Sequence, residues 1–361
     1  MFQLRKYTPP DFEAEALRNA PLCRFEPAPL DGVAPEGYHA MSIFPEYFKT
    51  GRGWLLAEES RMDCVAVLEN DRIEVVEFRR LRRGQLVAVG RGEDGSGGIL
   101  LWPDGFNEER ERGETFAFRQ SRTRETAFSR DYDGLYELMR HERERGKIVW
   151  VLGPAFAFDK DARQAMSRLI EAGYVHAILA GNALAAHDLE AAWLGTALGQ
   201  DIYTQRPVPG GHYHHLDTIN RVRACGGVRA FIEAENIRDG IIYTCEKCGV
   251  PYVLAGSIRD DGPLPPVLGN ACEAQDRMRD ELRSATTLIC MATMLHSIAA
   301  GNMTPSYRVL PDGTVRQVYF YCVDVSEFVI NKLSDRGSLS ARGIVTNVQD
   351  FAVMLAEKLC G

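Results

Sequence analysis

Residues 148–182 read IVWVLGPAFAFDKDARQAMSRLIEAGYVHAILAGN, and their pattern decides the fold. The apolar run Ile148 to Leu152 ends at Gly153-Pro154, and a stretch of helical character follows from Asp159 to Ala172. A second apolar run, His176 to Leu179, ends in Ala180-Gly181-Asn182. A buried strand, a helix and another buried strand form the repeating unit of a parallel sheet covered on both faces.

The same alternation continues toward the carboxyl terminus. Further β-rich apolar runs lie at Ile241 to Thr244, Tyr252 to Leu254, Leu288 to Ala292 and Val318 to Val323. Helical segments separate several of these runs. We therefore predict an α/β fold with a Rossmann-like parallel sheet, although the chain has no Gly-x-Gly-x-x-Gly fingerprint.

The amino-terminal part has a different character. Turn residues separate short β-like runs at Cys64 to Leu68, Arg72 to Phe78, Gln85 to Val89 and Gly98 to Trp102. Between Asn107 and Asp131 the composition turns to Glu, Arg, Ser and Thr, which is typical of a domain junction. We predict a smaller, mostly β domain over residues 1–125 and a Rossmann-like domain over residues 126–361.

Composition and charge exclude several classes of protein. The 361 residues carry a formal net charge of −8, which argues against a nucleic-acid partner because such proteins need a concentrated basic face. No apolar stretch approaches the roughly 18 residues of a membrane span, and the amino terminus lacks a signal-peptide core. Nine scattered cysteines fit reduced thiols, so we expect a cytoplasmic protein without membrane or nucleic-acid partners.

Ligands of open parallel sheets bind beyond the carboxyl ends of the strands, where main-chain amides and helix amino termini face phosphates. Candidate cofactor-binding residues should therefore follow the apolar runs. Those that do are Gly153, Pro154, Asn182, Ala183, Gly256, Ser257, Thr293, Met294, Leu295, His296 and Asp324.

The segment from Ala255 to Pro266 is the most unusual one in the chain. Asp260 and Asp261 adjoin Arg259 in a loop bounded by glycine and stiffened by proline, directly after an apolar run. The two aspartates are candidate catalytic groups, and Arg259 is a candidate substrate contact. A surface turn that uses Asp-Asp-Gly chemistry explains the same residues equally well.

Histidines supply a second set of candidates. His187 and Glu190 are three residues apart in a helix-like stretch and so share one face, as an acid-base pair or as an exposed polar surface. Three more histidines cluster at 212–215, where His214 is a candidate catalytic residue and His212 and His215 are candidate substrate contacts. Because these histidines are contiguous and the Cys245-x-x-Cys248 pair stands alone, we predict no bound metal.

Taken together, the motifs resemble the LOR/SDH-domain family, which includes the archaeal-type ornithine cyclodeaminases and the carboxyl-terminal half of cyanobacterial arginine dihydrolase fusions. The resemblance covers most of residues 148–351. The segments that carry it are Gly153-Pro154-Ala155, Ala180 to Ala185 with His187-Asp188 and Glu190, Gly211-His212 with His214-His215, Gly256 to Pro265, Ala292 to Ala299 with Gly301-Asn302-Met303, and Lys332-Leu333 with Asp335-Arg336-Gly337.

The resemblance implies an NAD-binding fold similar to that of deoxyhypusine synthase, and a homo-oligomer, dimeric or tetrameric. It implies redox-neutral cyclisation of ornithine or a related diamino acid, in which a hydride leaves, ammonia is lost, a ring closes and the hydride returns. It adds Asp261, Asn302, Lys332, Asp335 and Arg336 as cofactor contacts. The composition of Lys332 to Ser338 is as typical of a solvated loop as of a segment that contacts a cofactor.

Three alternatives stay open at this point. They are an NAD-dependent oxidoreductase or imine-forming lyase acting on a different amino acid, a metal-dependent hydrolase that uses the histidine cluster and the Cys245-x-x-Cys248 pair, and a non-catalytic NAD-binding module.

Overall fold

The computed structural model describes residues 3–106, 129–260, 262–325 and 341–361. In the amino-terminal part, two antiparallel sheets with strand orders β1-β6-β4-β5 and β3-β2-β7 pack around Phe48, Ala66, Ile73, Ala88 and Ile99. Their elements are β1 (Arg24–Pro27), β2 (Glu46–Thr50), β3 (Gly53–Leu56), β4 (Cys64–Glu69), β5 (Arg72–Glu77), β6 (Leu86–Val89), β7 (Ile99–Leu101) and the short helix α1 (Glu15–Arg18). The predicted boundary near residue 125 lies outside the described residues.

In the rest of the described chain, six strands form one parallel sheet, which confirms the predicted fold class. The strands of this part are β8 (Ile148–Leu152), β9 (Ala177–Gly181), β10 (Thr196–Ala197), β11 (Gln200–Asp201), β12 (Tyr252–Ala255), β13 (Thr287–Met291), β14 (Tyr307–Val309), β15 (Val315–Gln317), β16 (Tyr319–Asp324) and β17 (Ala341–Val345). The helices are α2 (Ser129–Arg145), α3 (Lys160–Glu171), α4 (Asn182–Leu194), α5 (His214–Ala224), α6 (Val228–Ala234), α7 (Ile241–Cys248), α8 (Ala271–Arg283), α9 (Met294–Met303) and α10 (Val348–Cys360).

The strand order of the parallel sheet is β12-β9-β8-β13-β16-β17. Counted by appearance in the chain, this is the order 3-2-1-4-5-6, the arrangement in which the winding direction reverses between the first and fourth strands. Here those strands are β8 and β13, whose residues pair from Thr287 with Ile148 to Met291 with Leu152. The crevice that such a reversal opens therefore lies beyond Leu152 and Met291.

Alternation along the strands explains the layers on either side of the sheet. Trp150 and Ile178 pack with α3, α4 and α10 on one face, whereas Val149 and Val151 pack with α8 and α9 on the other. Each strand is apolar on both sides because both sides are covered. No helix in the described part of the chain is long and apolar enough to cross a membrane.

The prediction that Ile241 to Thr244 forms a strand is wrong, because these residues begin helix α7. Four apolar residues do not distinguish a strand from a buried helical turn. A distant carboxylate decides the outcome: Asp188 on α4 accepts hydrogen bonds from the main-chain nitrogens of Ile241, at 3.0 Å, and Ile242, at 2.8 Å. Asp188 thus caps the amino terminus of α7, where helices leave their first N–H groups unpaired.

The same carboxylate forms a buried ion pair. Arg163 Nε on α3 donates to Asp188 Oδ1 at 2.8 Å, both side chains are fully buried, and Arg163 also reaches Asp239 Oδ2 at 2.9 Å. One charge pair therefore joins α3, α4 and α7.

We expect Arg163→Met to lower the free energy of unfolding by about 3–5 kcal/mol, because it leaves a buried carboxylate without its counter-charge. Denaturant titration followed by circular dichroism measures the change. Arg168→Met is the matched control, since Arg168 is exposed on the same helix and its substitution should cost less than about 1 kcal/mol. Equal losses in the two variants would contradict the role assigned to the pair.

Candidate functional site

The carboxyl ends of the six parallel strands meet at one edge of the sheet, and most of the predicted cofactor residues lie there. The structure brings to this edge Gly153, Pro154, Asn182, Ala183, Gly256, Ser257, Asp260, Thr293, Met294, Leu295, His296 and Asp324. Met294, Leu295 and His296 form the first turn of α9, and Thr293 directly precedes it.

Backbone contact is tightest at the crevice between β8 and β13. Gly153 N donates to Met291 O at 2.8 Å, and a Cβ at Gly153 would lie 1.8 Å from Ala292 O. Ala292 itself adopts a left-handed conformation, with φ of 58°. Only glycine allows the two strand ends to approach this closely.

Two helix amino termini open onto the same edge. Within the described part of the chain, no side chain caps α4, which begins at Asn182, or α9, which begins at Met294. By contrast, Asp159 caps α3 and Asn270 caps α8. Uncapped N–H groups at a helix start form a favourable binding site for an anion such as a phosphate group.

Asp260 is held in place by its neighbours. Its Oδ2 accepts from Ser257 N at 2.8 Å, and its Oδ1 accepts from Asn182 Nδ2 at 3.5 Å. Asn182 Oδ1 in turn accepts from Leu264 N at 3.0 Å, so the loop after β12 is fastened to the start of α4. Arg259 lies exposed in this loop.

His296 lies beside this carboxylate. A Cβ at Gly181 would lie 2.9 Å from His296 Cε1, so the imidazole packs directly over the end of β9. Its Nδ1 is 3.2 Å from Thr293 Oγ1. Burial lowers the pKa of His296, and the charge of Asp260 partly opposes this effect. The ring is therefore neutral at neutral pH and available as a proton acceptor.

A second polar cluster joins α4 to β10 and to the start of α5. His187 Nδ1 is 2.8 Å from Glu190 Oε2, and Thr196 Oγ1 is 2.9 Å from Glu190 Oε1 and 2.7 Å from His214 Nδ1. Gly199 N also donates to Glu190 Oε1 at 3.3 Å. We call these four side chains, His187, Glu190, Thr196 and His214, the histidine–glutamate cluster.

Phe158, which ends the 3-10 helix Pro154–Phe158 after β8, packs beside this cluster, with its ring 5.4 Å from that of His187. The ring of His215 lies 6.0 Å from that of His187. His187 and Glu190 share a helix face as predicted, but both are buried, so the face is not an exposed polar surface.

Some candidate residues lie elsewhere. Asn302 lies near the far end of α9, about 12 Å along the helix from its start, where its carbonyl accepts from Arg61 Nε at 3.3 Å. His212 is exposed, with its ring 4.1 Å from that of Tyr213. Four further candidates lie outside the described residues: Asp261, Lys332, Asp335 and Arg336.

Sequence reasoning did not include Thr196, which joins two of the predicted side chains. Strand β10, to which it belongs, has only two residues, so periodicity offers no signal. One signal was available: Gly195 is the left-handed residue that ends α4, with φ of 71°, and a glycine after a helical stretch predicts that the chain turns back there.

Metal ligation finds no support in geometry, since the described residues contain no group of three or more His, Cys, Asp and Glu side chains able to hold an ion. Cys245 and Cys248 lie in the last turn of α7, where burial raises the pKa of the Cys245 thiol far above its usual value. A protonated thiol is a poor metal ligand and nucleophile.

Comparison with known proteins shows the family to which this chain belongs. Residues 135–355 match the family described as "Arginine dihydrolase ArgZ-like, C-terminal, Rossmann fold". The ornithine cyclodeaminase of Methanopyrus kandleri is 42% identical over 341 residues, which span 93% of this chain and 78% of that protein.

Solved structures point to the same family. A LOR/SDH protein from Methanococcus maripaludis superposes with a TM-score of 0.84 at 36% identity, covering 94% of this chain and 98% of that one. AgrE, solved as a ternary complex with ornithine and NAD+, gives a TM-score of 0.57 at 33% identity, with 95% of this chain and 46% of AgrE covered. The resemblance seen in the sequence motifs is thereby confirmed, and the chain belongs to the family of the archaeal ornithine cyclodeaminases and of the carboxyl-terminal Rossmann domain of ArgZ-like arginine dihydrolases.

Proposed function

We propose that this enzyme converts ornithine, or a closely related diamino acid, into a cyclic amino acid with loss of ammonia, using NAD as its cofactor. For ornithine the product is proline, because the side-chain amine replaces the α-amine on Cα. The observation that carries the proposal is the polar cluster of Asp260, His296 and Asn182 beside two uncapped helix starts at the reversal point of the sheet. The complex of AgrE with ornithine and NAD+ supports it.

The edge of the sheet fits a dinucleotide. Gly153 lets the main chain at β8 and β13 approach the crevice without a side chain, and the starts of α4 and α9 offer N–H groups to a pyrophosphate. Asp324, at the end of β16, is a carboxylate suited to a ribose hydroxyl. When bound, NAD would supply a hydride acceptor for the substrate Cα and return the same hydride after ring closure.

The protein's own task is to move protons. The α-ammonium must lose a proton before Cα can give up a hydride, the side-chain ammonium must lose one before it attacks Cα, and the departing amine must gain one. Asp260, held by Ser257 N and Asn182, and neutral His296 are acceptors at the sheet edge. We assign the remaining proton transfers to His187 and His214.

Substrate contacts complete the proposal. Arg259 carries the positive charge of the loop after β12 and suits the substrate carboxylate, as charge-assisted pairs of this kind are strong. His215, near His187, is the further contact that we propose.

The test is an isotope experiment with ornithine, NAD and the full chain. With ¹⁵N in the α-amine, we expect all of the label in ammonia and none in proline. With deuterium on Cα, we expect the deuterium retained in proline and no accumulation of NADH. Norvaline, which has the same carbon chain without the side-chain amine, is the control and should yield no cyclic product.

Other outcomes would overturn the proposal in distinct ways. Deuterium transferred to accumulating NADH would show a net oxidoreductase, and NAD binding without consumption of any diamino acid tested would show a non-catalytic module.

A further inference from the structure

The histidine–glutamate cluster contains enough donors and acceptors to determine where its hydrogens lie. Glu190 is fully buried, and its two oxygens face three partners: His187 Nδ1, Thr196 Oγ1 and Gly199 N. An ionised carboxylate only accepts hydrogen bonds. With Glu190 ionised, His187 must carry a hydrogen on Nδ1.

The same reasoning extends through Thr196 to His214. The hydroxyl of Thr196 has one hydrogen to donate, and it donates this hydrogen to Glu190 Oε1 at 2.9 Å. Toward His214 Nδ1, at 2.7 Å, the same oxygen then presents only lone pairs. His214 must then donate from Nδ1. In the opposite arrangement, with Thr196 donating to His214, the oxygens of Thr196 and Glu190 would face each other at 2.9 Å without a hydrogen between them, which is costly in a buried site.

We propose that Thr196 is a positioning residue that, together with Glu190, fixes both His187 and His214 with hydrogen on Nδ1 and so leaves Nε2 of each ring as the atom that exchanges protons with the substrate. This rests on the proposed function for its role in turnover, although the hydrogen positions do not depend on which substrate is used. A proton taken up at Nε2 gives an imidazolium that Glu190 stabilises, directly for His187 and through the hydroxyl for His214. The proton returns from the same atom, so the cluster ends each turnover unchanged.

The first arm of the test is ¹⁵N NMR of the full chain labelled at histidine, with the signals assigned by His187→Gln and His214→Gln. We expect both rings to show the Nδ1–H tautomer in the unsubstituted protein. A neutral His214 carrying its hydrogen on Nε2 would overturn the proposal whatever the enzyme's substrate, and this arm needs no variant at Thr196 to fold.

The second arm compares Thr196→Val, which keeps the shape of the side chain but removes the hydroxyl, with Thr196→Ser, which keeps the hydroxyl. We expect Thr196→Val to lose the Nδ1–H signal of His214 and to lower kcat at least tenfold, a loss typical of impaired proton transfer, with KM changed by less than about threefold. Thr196→Ser should retain the signal and kcat within about threefold.

A folded Thr196→Val variant with an unchanged His214 tautomer and unchanged kcat would overturn the proposal. If ornithine is not the substrate, the NMR result stands and only the kinetic comparison moves to the true substrate, so the failure of the proposed function and the failure of this inference are distinguishable.

Discussion

Gly153→Ala is expected to weaken NAD binding more than about a hundredfold and to destabilise the chain. The added Cβ would lie 1.8 Å from Ala292 O and 3.1 Å from Thr293 Cβ, and the first distance is about half of an ordinary contact. The obstructing atom is main chain at the end of β13, so it cannot rotate away as a flexible side chain would. The ends of β8 and β13 must separate, which distorts the crevice in which we place the cofactor.

Overpacking of this kind costs about 1–3 kcal/mol or more in free energy of unfolding. Isothermal titration of NAD and denaturant unfolding measure the two effects separately, and we expect the affinity to fall more than about a hundredfold, which corresponds to about 2.7 kcal/mol.

Gly134→Ala is the matched control. Gly134 lies in α2, and a Cβ there meets nothing within 4 Å, so alanine should be neutral or stabilise the helix by up to about 1 kcal/mol. A Gly153→Ala variant with the NAD affinity and stability of the unsubstituted chain would show that the crevice is not the cofactor site.

The site around Gly153 shows which features of the fold can be predicted from the sequence and which cannot. The pattern of residues 148–182 predicts the parallel sheet because burial on both faces imposes continuous apolar strands, and it places Gly153 after a strand. The pattern does not give the strand order. The crevice exists because β13, more than a hundred residues later, pairs with β8.

Long-range contacts also explain the wrong assignment of Ile241 to Thr244. Their local composition favours a strand, and the capping carboxylate of Asp188 comes from a different helix. Thr196 was missed for a related reason: its importance comes from bridging Glu190 and His214, and no spacing rule connects the three. His187 and Glu190, by contrast, are three residues apart on one helix, so their pairing follows from helical geometry alone.

Asp260→Asn is expected to lower turnover of ornithine by about a hundredfold or more, the scale of lost acid-base assistance. The amide oxygen of the new side chain can still accept from Ser257 N, as Asp260 Oδ2 does now at 2.8 Å. The new amide nitrogen would face Asn182 Nδ2 and so lose the 3.5 Å contact that Asp260 Oδ1 accepts, but a contact this long is weak. The loss of turnover should therefore appear in kcat, with the thermal unfolding midpoint lowered only slightly. Asp217→Asn, at an exposed position on α5, is the control and should retain kcat within about twofold.

A second measurement separates loss of a proton acceptor from a general disturbance of the site. Burial lowers the pKa of His296, and the charge of Asp260 raises it in opposition. Asp260→Asn removes the opposing charge, so the pKa of His296 should fall further and the ring should stay neutral to lower pH. If His296 must be neutral for turnover, the acid limb of the pH–rate profile moves to lower pH in the variant. Full turnover and an unshifted profile in Asp260→Asn, and again in the double variant with Asp261→Asn, would show that this loop is a surface turn and that the proton acceptor must be sought in the histidine–glutamate cluster.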